Sequence, residues 1–141
     1  MLKALTENPL AWLCLALLFA PSCATTSASG TMTVDGEEVE FSADVTSDVD
    51  DVDVDHTLVR QLDGRVTVQF ELENDDNSPQ RLHITWDWLD SDGIALRKGV
   101  GETPERFEVL PAGEIKTITI QAPTNYAIQI KIRVRSTRSA L

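Results

Sequence analysis

Disulfides are the first thing this sequence excludes. It has two cysteines, Cys14 and Cys23, and none beyond residue 23. A folded body without internal cysteine must be held by its apolar core, and a chain of this length buries enough surface to manage that. Histidine is equally scarce. His56 and His83 are the only two, and they do not stand at a zinc-ligand spacing. There is no GxSxG elbow and no phosphate-cradling glycine loop. These absences argue against an enzyme, and no motif implies a cofactor. Positive charge is the minority: 12 Lys and Arg face 23 Asp and Glu, for a net charge of -11. A nucleic-acid partner is thereby excluded, because such a protein must neutralise phosphates. The same balance argues against the body adhering to an anionic membrane surface. Finally, no segment beyond residue 23 repeats apolar residues at the helical period, so a helical domain is not expected.

What is present begins with an N-terminal export signal. Leu10 to Ala20 is an unbroken apolar run of 11 residues (LAWLCLALLFA) behind a short stretch carrying Lys3 and Glu7. As a helix it reaches about 16 Å, too short for a bilayer core of about 30 Å but right for the apolar part of a signal peptide. Small residues follow, Ala20, Pro21 and Ser22, and then Cys23. This arrangement resembles the bacterial lipobox, with Ala20 where leucine is usual. The resemblance implies cleavage before Cys23 and lipidation of its thiol, including a palmitate-type acyl chain. The expected partner is therefore the membrane, reached through the N-terminal lipid. Ala24 follows the cysteine, and by resemblance to proteobacterial sorting this points to the periplasmic face of the outer membrane. Residues 24–30 (ATTSASG) are small and polar, so 23–30 reads as a flexible tether.

From residue 31 the pattern is that of strands. Asp35-Gly36 and Asp63-Gly64 are type I′ turn pairs between alternating runs. Between Arg65 and Glu73, Val66, Val68, Phe70 and Leu72 fall on one face and Thr67, Gln69, Glu71 and Glu73 on the other, the period-two signature of a sheet. Leu82, Ile84, Trp86 and Trp88 share a face in the same way, as do Ile128, Ile130, Ile132 and Val134. Residues 74–79 (NDDNSP) are turn formers, and Ile94 to Arg97 reads as a further short strand. Seven to nine short strands, each with one apolar face, predict an all-β, immunoglobulin-like β-sandwich. A small barrel is the alternative. The expected organisation is a signal peptide over 1–22, the tether over 23–30 and the sandwich over 31–141. Within the last, 31–51 is a hairpin and acidic lead-in.

Four segments in order carry a resemblance: RVTVQFELEN (65–74), TWDWLDSDG (85–93), LPAGE (110–114) and QAPTNYAIQIKIRV (121–134). Over about residues 52–135 the chain resembles the YcfL-like family of bacterial periplasmic lipoproteins. It departs from that pattern at Ile84, Thr85 and Leu89. The resemblance implies a lipoprotein with a β-sandwich and no established enzymatic activity, and it carries over no functional residues.

Charge is unevenly placed. Residues 35–55 hold ten Asp or Glu and no Lys or Arg. On a strand, Asp51, Asp53 and Asp55 would share one face at about 7 Å spacing, so a solvated acidic face is the first reading and a weak Ca²⁺ site the second. His56 stands where an EF-hand loop needs glycine. At the other terminus Lys131, Arg133 and Arg135 form the polar face of the last strand. They either pair with the acidic run across the sheet or offer a docking surface to an acidic partner. Trp86 and Trp88 are both expected in the core, where truncating Trp86 would cost about 3 to 5 kcal/mol. A carbohydrate-stacking platform is the alternative. The function expected from the whole is an envelope lipoprotein whose sandwich serves as an interaction or accessory module for another envelope protein. A purely structural role without a ligand is the competing reading.

Overall fold

The computed structural model describes residues 24–96 and 103–137. The expected signal peptide and the lipidation site at Cys23 lie outside the described residues. Eight strands are present among them: β1 (Ala24–Val34), β2 (Glu37–Ser47), β3 (Val52–Leu62), β4 (Arg65–Asn74), β5 (Gln80–Leu89), β6 (Glu105–Leu110), β7 (Ile115–Gln121) and β8 (Gln129–Ser136). They form a five-stranded sheet ordered β1-β2-β8-β5-β6 and a three-stranded sheet ordered β3-β4-β7. The β-sandwich expected from the alternation is the fold observed.

The local chemistry explains the elements. Both central residues of each Asp-Gly turn have positive φ: Asp35 51° and Gly36 84°, Asp63 52° and Gly64 73°. That is the requirement of type I′, whose twist matches the strands it joins. The alternating apolar residues meet between the sheets. Phe41, Ala43 and Val45 of β2, Ile130, Ile132 and Val134 of β8, and Leu82 and Ile84 of β5 pack over Val66, Val68, Phe70 and Leu72 of β4 and Ile118 and Ile120 of β7. The hairpin read as a lead-in to the domain is thus part of the core. β2 is pinned between β1 and a parallel partner, β8.

The structure corrects the flexible tether. Residues 24–30 belong to β1 and pair with β2 from Ala24↔Ser47 to Gly30↔Phe41. Small polar side chains hid this, because the strand is held by its backbone ladder rather than by apolar residues. Gly30 lies so close over the Phe41 ring that a Cβ there would come within 2.6 Å of it. The expected strand from Ile94 is reduced to a single bridge, Leu89↔Ala95.

Polar bridges link the sheets along both open sides. On one, a bulge at His56 (φ 50°) shifts the β3–β4 register between Asp55 and Leu58, and Thr57 beside it hydrogen-bonds Thr26 of β1 at 2.7 Å. On the other, the carboxylate of Glu108 on β6 accepts from Lys116 on β7 and from Arg106. Burial pushes the Glu108 pKa up, but the bonds from Lys116 and Arg106 outweigh it and hold the carboxyl below the usual range. Such inward charges also discourage strand addition at the β6 edge.

Candidate binding site at the open end of the sandwich

The strand directions give the sandwich two distinct ends. Residue 24, the 48–51 turn, the 75–79 loop and the 111–114 turn lie at one end. The Asp35-Gly36 and Asp63-Gly64 turns, the end of β5, the start of β6 and the β7–β8 connection lie at the other.

Asn74 closes the first end. It is fully buried, and its Nδ2 donates to the carbonyls of Ser78, Leu110 and Pro111 at 2.9, 3.0 and 3.2 Å. Its Oδ1 accepts from the Asp76 amide at 2.9 Å. Its backbone bonds Glu114 and Gly113. One side chain thereby joins β4 to the LPAGE turn of 110–114, giving a donor to the buried carbonyl of Leu110 and to the part-buried carbonyls of Ser78 and Pro111.

Among the described residues, no comparable knot closes the second end. A cavity of about 810 Å³ lies between the sheets there, lined by Trp86, Trp88, Leu96 and Pro104 on the larger-sheet side and by Arg65, Gln121, Ala122 and Pro123 on the other. Thr103 and Glu105 complete the rim. Its volume falls in the range of small-ligand sites, and its mixture of indole surface with a few polar groups is typical of them. The walls are fixed by main-chain bonds: Trp86 N donates to Pro104 O at 3.2 Å, Leu96 N to Trp88 O at 2.7 Å and Ala122 N to Val66 O at 2.8 Å. Arg65 Nη1 reaches Ala122 O at 3.5 Å, and Gln121 Nε2 reaches Leu62 O at 3.4 Å. The Glu105 carboxylate is held at 2.7 Å from His83 Nε2, and the His83 ring stacks on Phe107 with centroids 4.5 Å apart.

The two tryptophans behave differently. Trp88 is 2% exposed, and its Nε1 has no hydrogen-bond partner among the described residues. Trp86 is only half-buried, which corrects the expectation that both sit in the core. It forms part of the cavity wall, and a smaller stability cost follows for its truncation. Sequence reasoning missed Arg65, Pro104, Glu105, Gln121 and Pro123. The available signal was positional: Arg65 directly follows a turn, while Trp86, Trp88 and Gln121 stand at strand ends that the up-and-down order brings together.

The other expected site residues are placed as follows. Lys131, Arg133 and Arg135 lie on the outer face of β8, in the middle of the larger sheet. Lys131 is flanked in register by Asp44 and Asp87. The Nε atoms of Arg133 and Arg135 stand 3.7 and 3.9 Å from Asp48. Arg133 and Arg135 are thus paired with the acidic run at Asp48. Asp51, Asp53 and Asp55 do not form the expected row. Asp51 sits in the turn before β3 with φ 62°, leaving two carboxylates on the strand. A hydrogen bond with Asp75 raises the Asp53 pKa, with partial desolvation and the charges of Asp75, Asp55 and Glu73 adding to it. Among the described residues, no group of three or more His, Cys, Asp or Glu is placed to hold a metal ion.

The family model described as a protein of unknown function, DUF1425, matches residues 37–136. The chain belongs to the DUF1425 family. A DUF1425 member from Shewanella sp. pv-4, solved by crystallography, superposes with a TM-score of 0.54 at 16% identity, over 79% of this chain and 92% of that one. That likeness extends to the fold alone. The Campylobacter jejuni protein cj0090 has 22% identity and a TM-score of 0.47, over 60% of this chain and 85% of that one. No curated protein matches the sequence. The DUF1425 match starts at Glu37, so it takes in β2 as well as the segment from residue 52 onward.

Proposed function

We propose that this DUF1425 protein is a lipid-anchored component of the bacterial cell envelope, and that its sandwich is a non-catalytic binding module acting through the cavity at its open end. The observation that carries the reading is the indole-walled cavity itself. Its lining offers Trp86, Trp88, Leu96 and two prolines for apolar contact beside Thr103, while the side chains of Arg65, Gln121 and Glu105 at its edge are held by Ala122, Leu62 and His83. Among the described residues, its lining holds no cysteine, histidine or serine to act as a nucleophile or its base.

The anchoring half rests on the apolar run, the small residues before Cys23 and the YcfL-like segments, with Ala24 favouring the outer membrane. Those segments also supply the binding half: Arg65, Trp86, Trp88 and Gln121 to Pro123 come from three of the four. The basic stripe is a poorer docking surface, because Asp44, Asp48 and Asp87 surround it.

Intact mass of the protein made with its native N-terminus, beside a Cys23→Ser version, tests the anchor. A chain that starts at Cys23 and carries lipid mass, lost in Cys23→Ser, is the expected result. An unmodified chain of either length overturns it.

A further inference from the structure

We infer that the free edge of β1 is a self-pairing surface: a second copy of this chain adds to it antiparallel, about a two-fold axis at Ser29, and joins the two larger sheets into one. The inference goes beyond the proposed function and uses neither the cavity nor the lipid.

Four strands bound the two sheets: β1, β6, β3 and β7. Three of them are blunted. β6 and β7 are short, and the charges of Glu108, Arg106 and Lys116 lie between them. β3 is broken by the bulge at His56. β1 has none of these devices. Its 11 residues pair with β2 without a register break, and ATTSASGTMTV holds no charged residue and no proline. A long, even, unprotected edge is a template for another strand.

The backbone direction of β1 follows from its neighbours. Ser42 N donates to Ile128 O and Asp48 N to Val134 O, both at 2.9 Å. The even residues of β2 therefore turn their main-chain groups toward β8. Their partners on β1 are Thr25, Ser27, Ser29, Thr31 and Thr33. These turn their N–H and C=O groups the other way, to the free edge. Among the described residues no strand pairs with that edge. The same five residues expose their side chains, and their order makes the edge complementary to itself. About a two-fold axis at Ser29, Thr25 meets Thr33 of the other copy, Ser27 meets Thr31, and Ser29 meets its counterpart. Every facing pair carries two hydroxyls, each able to donate and accept. A charged strand would find no counter-charge here, whereas a second β1 satisfies both main chain and side chains. The pairing sets the two residues 24 about 34 Å apart, so two anchored copies lie with β1 along the membrane plane.

The test uses full-length protein in detergent carrying Cys14→Ser and Cys23→Ser, so that one introduced cysteine is the only thiol and lipid plays no part. Under mild oxidation Ser29→Cys should form a disulfide dimer. A hydrogen-bonded antiparallel pair holds its Cα atoms about 5.5 Å apart, within disulfide reach. Thr25→Cys and Thr33→Cys should each stay monomeric alone, at about 27 Å from their own counterparts, and cross-link when mixed. Thr119→Cys, also exposed but on β7, reports chance collision within a micelle. Ser29→Pro removes an N–H that serves only the free edge, so it should weaken dimerisation in sedimentation more than tenfold while the chain stays folded. Equal cross-linking at every position, none at Ser29→Cys above the Thr119→Cys level, or unchanged dimerisation in Ser29→Pro overturns self-pairing. None of these failures touches the anchor, which is read by lipid mass on Cys23, or the cavity at the end of the sandwich.

Discussion

The two ends of this sandwich are built on opposite principles. At the end where β1 starts, Asn74 ties three carbonyls and two amide neighbours into a closed knot, and the surrounding turns carry Asp48, Asp50, Asp51, Asp75 and Asp76. At the other end the sheets part around Trp86 and Trp88 and leave a cavity of about 810 Å³. Main-chain hydrogen bonds hold the walls at both ends, so the difference does not lie in secondary structure. It lies in what fills the space between the sheets: a hydrogen-bonded side chain at one end, and indole surface with room beside it at the other. A small sandwich can tolerate an unfilled end when the opposite end is locked.

Four changes would break or sharpen that contrast. The largest effect is expected from Trp88→Ala, which deletes a buried indole behind the cavity. A loss of about 3 to 5 kcal/mol in urea unfolding is predicted, and an unchanged midpoint would mean the open end contributes nothing to the core. Next is Asn74→Ala, which leaves the Leu110 carbonyl buried without its donor. About 3 kcal/mol is expected. Hydrogen exchange should speed first in the 75–79 and 110–114 turns rather than around Trp86. Uniform loosening of both ends would refute the locked-end account.

A third change tests β1. Gly30→Ala forces a Cβ against the buried Phe41 ring, and a cost of about 1 to 2 kcal/mol follows if residues 24–34 are a structural strand. A silent substitution would restore the tether. The smallest effect concerns acid. The Glu108 carboxyl has a lowered folded-state pKa, so its contribution is full above the unfolded value and is lost as pH falls through the folded one. Both cations beside it are 42% exposed, which limits the contribution to under about 1 kcal/mol. Asp53 has the opposite sign. Its pKa is raised, so its effect favours folding in acid and is lost as pH rises through that raised value. Comparing Glu108→Gln with the parent at neutral pH and near pH 3 should therefore show a flatter acid limb in the variant. An identical limb would assign acid sensitivity to other carboxylates.

Much of the architecture was legible in the residues. The faces of β4 and β8, and the two Asp-Gly turns, follow from period-two alternation and positive φ, which are local properties. The Lys131, Arg133 and Arg135 stripe and its acidic counterpart were visible as charge patterns, and their pairing needed only that the strands be neighbours. Three features were not legible. Residues 24–30 of β1 carry no apolar signal, because their hydrogen-bond ladder with β2 and the fit of Gly30 over Phe41 hold them in place. Asn74 looked like one turn former among several, because its acceptors at Ser78, Leu110 and Pro111 lie up to 37 residues away. The cavity joins residues from β4, β5, β6 and β7 that no single segment contains. What the sequence by itself determined, then, is which segments extend, where they turn and which side chains face inward, since each is settled within a few bonds. Only the tertiary structure decided which end of the sandwich is locked and which is open, because that depends on what the opposing sheet places across the gap.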